Sequence, residues 1–338
     1  MNIKQQFISL SKLLVVFLLF GFTNQVMANK YQVTGPFSQS NLSVYLIHGD
    51  DLIKDQTYLI LGEAMQQKKV KVHETNNVNQ LSIENTSKSE HIYIQAGDIV
   101  KGGKQDRVFS TDMVLEPNSG KVSIASFCVE QGRWNQRGKE SSRQFHSSTK
   151  KLSSKELRLA ARLKNNQSEV WAEVAKVQQK LGDKVGQDVK SKDSASSLQL
   201  TLENKKLAEK VTGYKNALIP LLKGKQKVIG YAFAINGKLN SADIYANQSL
   251  LKKLWPMLMD AAATESVGEY NQGIKYINPT SVAVLKWMEK TKHEKQSTRE
   301  LKPGLKQDTV ETETDVRFET YSGTGTERKL YRQNYIKK

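Results

Sequence analysis

Val228 to Tyr245 reads VIGYAFAINGKLNSADIY. A run of β-forming residues leads into Asn236-Gly237, and a second such run returns from Lys238 to Tyr245. Asn-Gly between two such runs is the strongest short hairpin signal, because both turn positions need positive φ. An antiparallel pair here sets the reading of the whole chain.

Upstream, residues 31 to 146 read mostly as strands. Leu42 to Ile47, Val70 to His73, Leu81 to Ile83, Ile92 to Ala96 and Val122 to Val129 carry apolar runs or alternation, separated by Gly, Asn and Ser clusters. Thr57 to Gln67 reads as a short helix. Residues 150 to 220 read as helices. Ser153 and Glu156 have capping-box spacing. Val170, Val174, Val177 and Leu181 share one helical face beside Trp171, and Gly182 is a natural stop. Gly186 to Ser197 is polar and reads as a loop. Leu207, Val211, Tyr214 and Leu218 mark a second helix. After the hairpin, Ser249 is placed to cap a helix carrying Leu250, Leu251, Leu254 and Leu258. Residues 271–338 read as an extension: a helix at Val282 to Met288, a polar linker from Lys292 to Thr314, and a hairpin from Val316–Tyr321 and Leu330–Ile336. Strands, then helices, then strands predict an α+β fold with a largely antiparallel, sandwich-like sheet core, a helical insertion and a C-terminal hairpin, in one domain over 29–270.

Of 338 residues, 51 are Lys or Arg, 34 are Asp or Glu, and one is Cys. A single thiol excludes an internal disulfide and Cys-rich zinc sites. Residues 1–28 have the layout of a secretory signal: Lys4 and Lys12, the apolar run Leu13–Phe22, then Val26-Met27-Ala28 before a cleavage point. Ten apolar residues are too few to cross roughly 30 Å of hydrocarbon. The expected mature protein is exported, periplasmic or secreted, without a transmembrane segment. Loss of the two lysines brings the formal charge from +17 to +15. The excess concentrates between Arg133 and Lys227, with 22 Lys+Arg against 9 Asp+Glu. A basic face suits an anionic polymer or envelope surface, or simply a solvated helical surface. Nucleic acid is not an expected partner of an exported protein, and aromatic residues are sparse among the lysines.

Two clusters carry the chemistry. Gly102-Gly103-Lys104-Gln105-Asp106-Arg107 follows a strand, and Cys128-Val129-Glu130-Gln131-Gly132-Arg133-Trp134 ends the next strong one. Glycine lets backbone N–H groups approach a ligand. Arg107 and Arg133 suit a carboxylate or phosphate, with Lys104 nearby. Gln105 and Gln131 offer a donor and an acceptor each, and Trp134 a stacking face. If the two segments are neighbours, as consecutive strands usually are, Lys104, Asp106, Arg107, Glu130 and Arg133 could converge; the sequence does not fix whether Asp106 and Glu130 meet. Two readings stay open: a ligand pocket, or ion pairs that pin loops. In the first, Gly102, Gly103, Lys104, Gln105, Arg107, Gln131, Arg133 and Trp134 bind ligand, and Asp106 and Glu130 are the candidate acid and base. Cys128, between Phe127 and Val129, reads as a buried small hydrophobe rather than a nucleophile. His48, His73 and His91 lack metal-site spacing, so neither metal nor cofactor is expected. There is no GxSxG elbow and no P-loop, and Gly323-Thr324-Gly325 reads as turn chemistry.

The run GGKQDRVFSTDMVLEPNSGKVSIASFCVEQGRW, residues 102 to 134, resembles the signature of a prokaryotic domain family of unknown function, the ARG and rhodanese-phosphatase-superfamily-associated protein domain. Asn41–Val44, Leu61–Ala64, Val70–Thr75, Val78–Leu81, Gln167–Trp171 and the Gly230–Asp243 hairpin followed by Trp255 resemble it too, over roughly 31–260. The family is named for the proteins it accompanies, of ADP-ribosylglycohydrolase and rhodanese-phosphatase type. The resemblance thus implies chemistry near nucleotides, ADP-ribose or phosphate esters, without assigning catalytic residues. The function expected is an exported binding or interaction domain with a charged pocket for a polar or anionic, nucleotide-like ligand. The alternatives are a hydrolase of a nucleotide-like or phosphate ester substrate, and a structural envelope protein contacting anionic polymers.

Overall fold

The Val228–Tyr245 hairpin lies inside the largest of three sheets. The computed structural model describes residues 30–75, 77–133, 137, 140, 144–151, 154–290 and 295–338. In chain order the first strands are β1 (Gln32–Gln39), β2 (Leu42–His48), β3 (Tyr58–Ile60), β4 (Val70–His73), β5 (Gln80–Asn85) and β6 (His91–Ile94). Next come β7 (Asp98–Gly102), β8 (Arg107–Phe109), β9 (Met113–Leu115), β10 (Gly120–Cys128) and β11 (Phe145–Lys151). After the helical region come β12 (Val228–Ile235), β13 (Lys238–Tyr245), β14 (Lys295–Lys302), β15 (Leu305–Glu311), β16 (Asp315–Ser322) and β17 (Lys329–Lys337). The helices are α1 (Leu61–Gln66), α2 (Lys155–Leu159), α3 (Gln167–Val185), α4 (Leu198–Leu202), α5 (Lys205–Leu218), α6 (Gln248–Gly268) and α7 (Ser281–Lys290).

The eight-stranded sheet runs β1-β2-β12-β13-β17-β16-β15-β14, antiparallel throughout. A six-stranded sheet runs β11-β7-β8-β10-β5-β4, and a three-stranded one β3-β6-β9, whose β3–β6 pair is parallel. The fold is α+β with a mainly antiparallel core, as the hairpin and strand patterns predict.

Every residue of β12 is buried, because both faces of this strand are covered. One face, with Tyr231 and Phe233, packs with Leu254, Trp255 and Leu258 of α6. Tyr231 meets Trp255 edge-on, with ring centroids 5.5 Å apart, an arrangement favoured by the ring quadrupoles. The other face carries Ala232 and Ala234 with Val284, Trp287 and Met288 of α7. Gly230 is required by close approach: a Cβ there would stand 2.3 Å from the Asp243 carbonyl oxygen. Helix α6 also packs on β11, and so joins the large sheet to the strands that carry the two motifs.

Several boundaries differ from the sequence reading. Thr57–Gln67 is not one helix: β3 precedes α1 within it. Ser153 lies outside the described residues, and Ser154 is the N-cap of α2. Helix α3 runs past Gly182 to Val185, where Gly186 ends it in the left-handed conformation. Asn247, not Ser249, caps α6, its side chain accepting from the Leu250 N–H. The stretch expected as a polar linker supplies β14 and β15, joined through a turn with Gly304 at φ +78°. The C-terminal strands β16 and β17 do form the expected hairpin, and β17 lies between β13 and β16 within the main sheet. The candidate signal segment and Trp134 lie outside the described residues. Among the described residues no helix is long and apolar enough to cross a membrane.

Candidate functional site

The pairing of β8 with β10 sets Arg107 opposite Cys128, so the loop before β8 and the loop after β10 meet. The backbone N–H of Val129 donates to the Asp106 carbonyl at 3.0 Å, and that of Asp106 to Glu130 Oε2 at 3.1 Å. Both carboxylates are fully buried.

Arg137 lies across them. Its Nη1 is 2.8 Å from Asp106 Oδ2 and 2.9 Å from Glu130 Oε1; its Nη2 is 3.1 Å from Asp106 Oδ1. Arg133 donates from Nε to Glu130 Oε2 at 2.6 Å and from its two Nη atoms to the carbonyls of Gly103 and Gly102. Ser197 Oγ donates to Asp106 Oδ2 at 2.9 Å, and the Gly102 N–H to Oδ1 at 3.0 Å. Two guanidinium groups thus occupy the positions a cation would take beside these carboxylates. Charge-assisted, bidentate pairs of this kind are strong and geometrically exacting.

The two acids are pushed in opposite directions. Burial, then the neighbouring Glu130, raises Asp106 against the pull of Arg137. Burial also opposes ionisation of Glu130, but hydrogen bonds from Ser194 and Arg133 and the charge of Arg137 outweigh it, so its pKa falls. Split carboxylates can mark an acid and a base, and they also arise in structural ion-pair networks.

The other expected ligand residues divide. Gly102 and Gly103 hold positive φ, at +99° and +56°. Their N–H groups are taken by Asp106 and by the Gln144 carbonyl, and Phe145 and Glu74 crowd the place of a Gly103 Cβ. Lys104 and Gln131 are exposed. Arg107 is buried; its Nη1 lies 2.7 Å from Cys128 Sγ and also bonds the Val78 carbonyl, and its Nη2 is 3.3 Å from Glu74 Oε2. Burial raises the Cys128 thiol, against Arg107. Gln105 is 0% exposed, and neither its amide nitrogen nor its amide oxygen has a hydrogen-bond partner.

Sequence reading missed Arg137 and Ser197, which enter from other segments, and gave Gln167 only within a resembling stretch, with no role. Gln167 clamps Cys128 by accepting from its N–H and donating to its carbonyl, each at 2.9 Å. Four-residue spacing from Arg133 was the one hint for Arg137. The histidines are separate: His48 bonds Thr34, His73 bonds Glu84 and His91 bonds Gln56.

A second polar centre surrounds Glu265 of α6, which no sequence motif marks. A cleft of about 240 Å³ between α3 and α6 is lined by Glu173, Val177, Lys180, Leu181, Glu265 and Gly268. Glu265 accepts from the Lys155 N–H at 3.0 Å, Asn240 Nδ2 at 2.7 Å and Arg158 Nη2 at 3.4 Å. Burial pushes its carboxyl up.

Hairpin-centred sheets and two motif loops clasped by arginines define an α+β domain built around a buried charge network. The family model of the ARG and rhodanese-phosphatase-superfamily-associated protein domain matches residues 30–337, and the chain belongs to that family. The match extends well past residue 260, through the strands of the C-terminal segment. No curated protein and no solved structure matches the chain.

Proposed function

We propose that this chain is an exported binding domain that holds a polar or anionic, nucleotide-like ligand over the Gly102–Arg107 loop. The observation that carries the reading is Gln105. A buried amide with both polar atoms unpaired costs about 1–3 kcal/mol for each lost partner. A ligand offering an acceptor and a donor would recover that cost. Lys104 and Gln131 are exposed on the same two loops and would supply a polar rim. The apolar run Leu13–Phe22 ahead of Ala28 supports export, and an intact mass beginning at Asn29 in the mature protein would test it.

The hydrolase reading has one observation in its favour, the opposed shifts of Asp106 and Glu130. Against it stands their engagement: both are bonded to Arg137, whereas the equally buried Gln105 amide is not bonded at all. A base so occupied has no free lone pair facing a substrate, so the binding reading is preferred.

The test is a thermal-shift screen of the chain from Asn29 against ADP-ribose, nucleotides, simple phosphate esters and a polyanion. The parent is compared with Gln105→Leu. A ligand at a hundred times its Kd adds about 2.7 kcal/mol of stability, worth several degrees in a domain of this size. Gln105→Leu is expected to match or exceed the parent without ligand and to lose the ligand-dependent rise. The reading fails if no small ligand shifts the parent, or if Gln105→Leu keeps the full shift. A shift from the polyanion alone, abolished by salt, would favour the envelope-surface alternative.

A further inference from the structure

Strand register lays one row of polar side chains across the inner face of the C-terminal sheet. Arg299 of β14 faces Gln307 of β15, Gln307 faces Thr320 of β16, and Thr320 faces Arg332 of β17. Directly opposed residues in antiparallel strands point to the same side of a sheet. Asp112, from the loop between β8 and β9, sits over this row. It accepts from Arg332 Nη1 at 2.7 Å, Thr320 Oγ1 at 3.0 Å, Arg162 Nη2 at 3.1 Å and the Ala96 N–H at 2.9 Å. Asp243 takes the Nε of Arg332 at 2.9 Å.

Arg332 is therefore answered by two carboxylates. Arg162 is answered in part: Nη1 reaches Asn334 Oδ1 at 2.7 Å and Nη2 also reaches Gln307 Oε1 at 3.3 Å, but its buried Nε has no partner. Arg299 has no carboxylate within ion-pair distance among the described residues, and its buried Nε and Nη2 have no hydrogen-bond partner. Both oxygens of Asp112 are already engaged, and Gln307 Oε1 is taken by Arg162. Three guanidinium groups share two aspartates. An uncompensated buried charge is among the costliest features a fold can keep, and a bound anion beside these groups would offset that cost directly.

We propose that Arg299 and Arg162 together form a binding site for a small oxyanion of phosphate size. The planar Arg299 fork is suited to such a group, and Arg162, with the Phe318 ring 4.2 Å from its Cζ, offers its unpartnered Nε. Arg299 lies on the edge strand and keeps partial exposure, which gives the anion a way in. The electrostatics agree with the geometry. Burial, then the charges of Arg332 and Arg299, brings Arg162 down to about 10 against the pull of Asp112, and burial also lowers Arg299. This site is separate from the Gly102–Arg107 loop and does not depend on the reading given for it.

The test uses inorganic phosphate on the chain from Asn29, by calorimetric titration and thermal shift, with sodium chloride at matched ionic strength as control. The parent is expected to bind phosphate saturably and to gain stability that chloride does not confer. Arg299→Met is expected to raise the melting temperature without phosphate, because it removes the unpaired charge, and to weaken phosphate binding at least about tenfold, or about 1.4 kcal/mol. Arg299→Lys, which keeps the charge but loses the fork, should bind between the two. Absence of saturable phosphate binding to the parent overturns the proposal, as does equal binding by parent and Arg299→Met. Should Arg299→Met not fold, the parent titration and Arg299→Lys still decide it: Arg299→Lys affinity equal to the parent's would exclude the fork.

Discussion

Arg332 Nη1 and Asp112 Oδ1 lie 2.7 Å apart, across 220 positions of sequence. Both residues are buried, and Asp243 holds the other side of the same guanidinium. The pair ties the final strand to a loop of the motif-bearing half. Arg332→Leu would leave two buried aspartates short of their main counter-charge. The expected loss is about 3–5 kcal/mol, read as a drop in the urea midpoint with the slope unchanged. A loss below about 1 kcal/mol, the size expected of a surface pair, would contradict the burial described for this pair.

Asp112 also predicts the acid limb of stability. Burial alone would raise its pKa, but Arg332, Arg162 and the Ala96 N–H overcome it and bring it well below the ordinary carboxylate value. A group lowered on folding contributes stability that is fully present above its unfolded pKa of about 3.9. That contribution is lost as pH falls from there through the lower folded value. Asp112→Asn should therefore be less stable at neutral pH and show a flatter decline below about pH 4. Denaturant midpoints measured across that range check the slope; parallel curves for the two proteins would refute the assignment.

Gly103 and Gly132 both hold positive φ, but only one is crowded. At Gly103 a Cβ would stand 2.4 Å from Phe145 Cζ and 2.8 Å from Glu74 Oε1, whereas at Gly132 nothing lies within 4 Å. Gly132→Ala should cost about 1–2 kcal/mol for the left-handed backbone alone. Gly103→Ala adds overpacking, typically another 1–3 kcal/mol or about that. Melting temperatures should rank parent, Gly132→Ala, Gly103→Ala, and a reversed order of the two variants would contradict the packing.

Glu130→Gln removes the charge that answers Arg133 and part of Arg137. Because the amide cannot accept on both atoms, at least one guanidinium N–H loses its partner. A loss of about 3 kcal/mol is expected, near the lower end for a broken buried pair. Unchanged thermal stability together with loss of a measurable hydrolysis would instead move Glu130 into catalysis.

Cys128 should label slowly in the native state. Its sulfur is buried between β8 and the Val78 carbonyl, and burial raises the thiol, so the thiolate fraction is small. Modification by a thiol-specific reagent is expected to speed up sharply once denaturant unfolds the chain. Native labelling as fast as that of a free thiol peptide would show that the Arg107–Cys128 contact opens in solution.

How much of this was written in the sequence varies with the element. The β12–β13 hairpin was legible because Asn236-Gly237 and its flanking runs signal locally. The two motif clusters were legible as candidates, but whether Asp106 and Glu130 meet was not, because sequence spacing fixes no separation between residues on two loops; the β8–β10 register decides it. Arg137 and Ser197 were not legible either: they reach Asp106 from loops 31 and 91 residues away, and loop positions carry no periodic signal. Strands β14 and β15 were missed for a different reason. Their residues are largely polar or charged, which hides a strand when its partners stabilise it more than its own composition does. The network around Asp112 depends on register across five strands, which no local pattern contains.

The position of β17 between β13 and β16 has a consequence for the order of assembly. Until the last strand arrives, the large sheet exists as two pieces, each presenting an open edge of unpaired N–H and C=O groups. A chain emerging from the ribosome, or one clipped ahead of Lys329, is therefore sticky at two places, and closure is the final event rather than the first. Such long-range closure makes for slow folding. A chaperone that shields the β13 and β16 edges during that interval would protect yield more than one that binds the early strands.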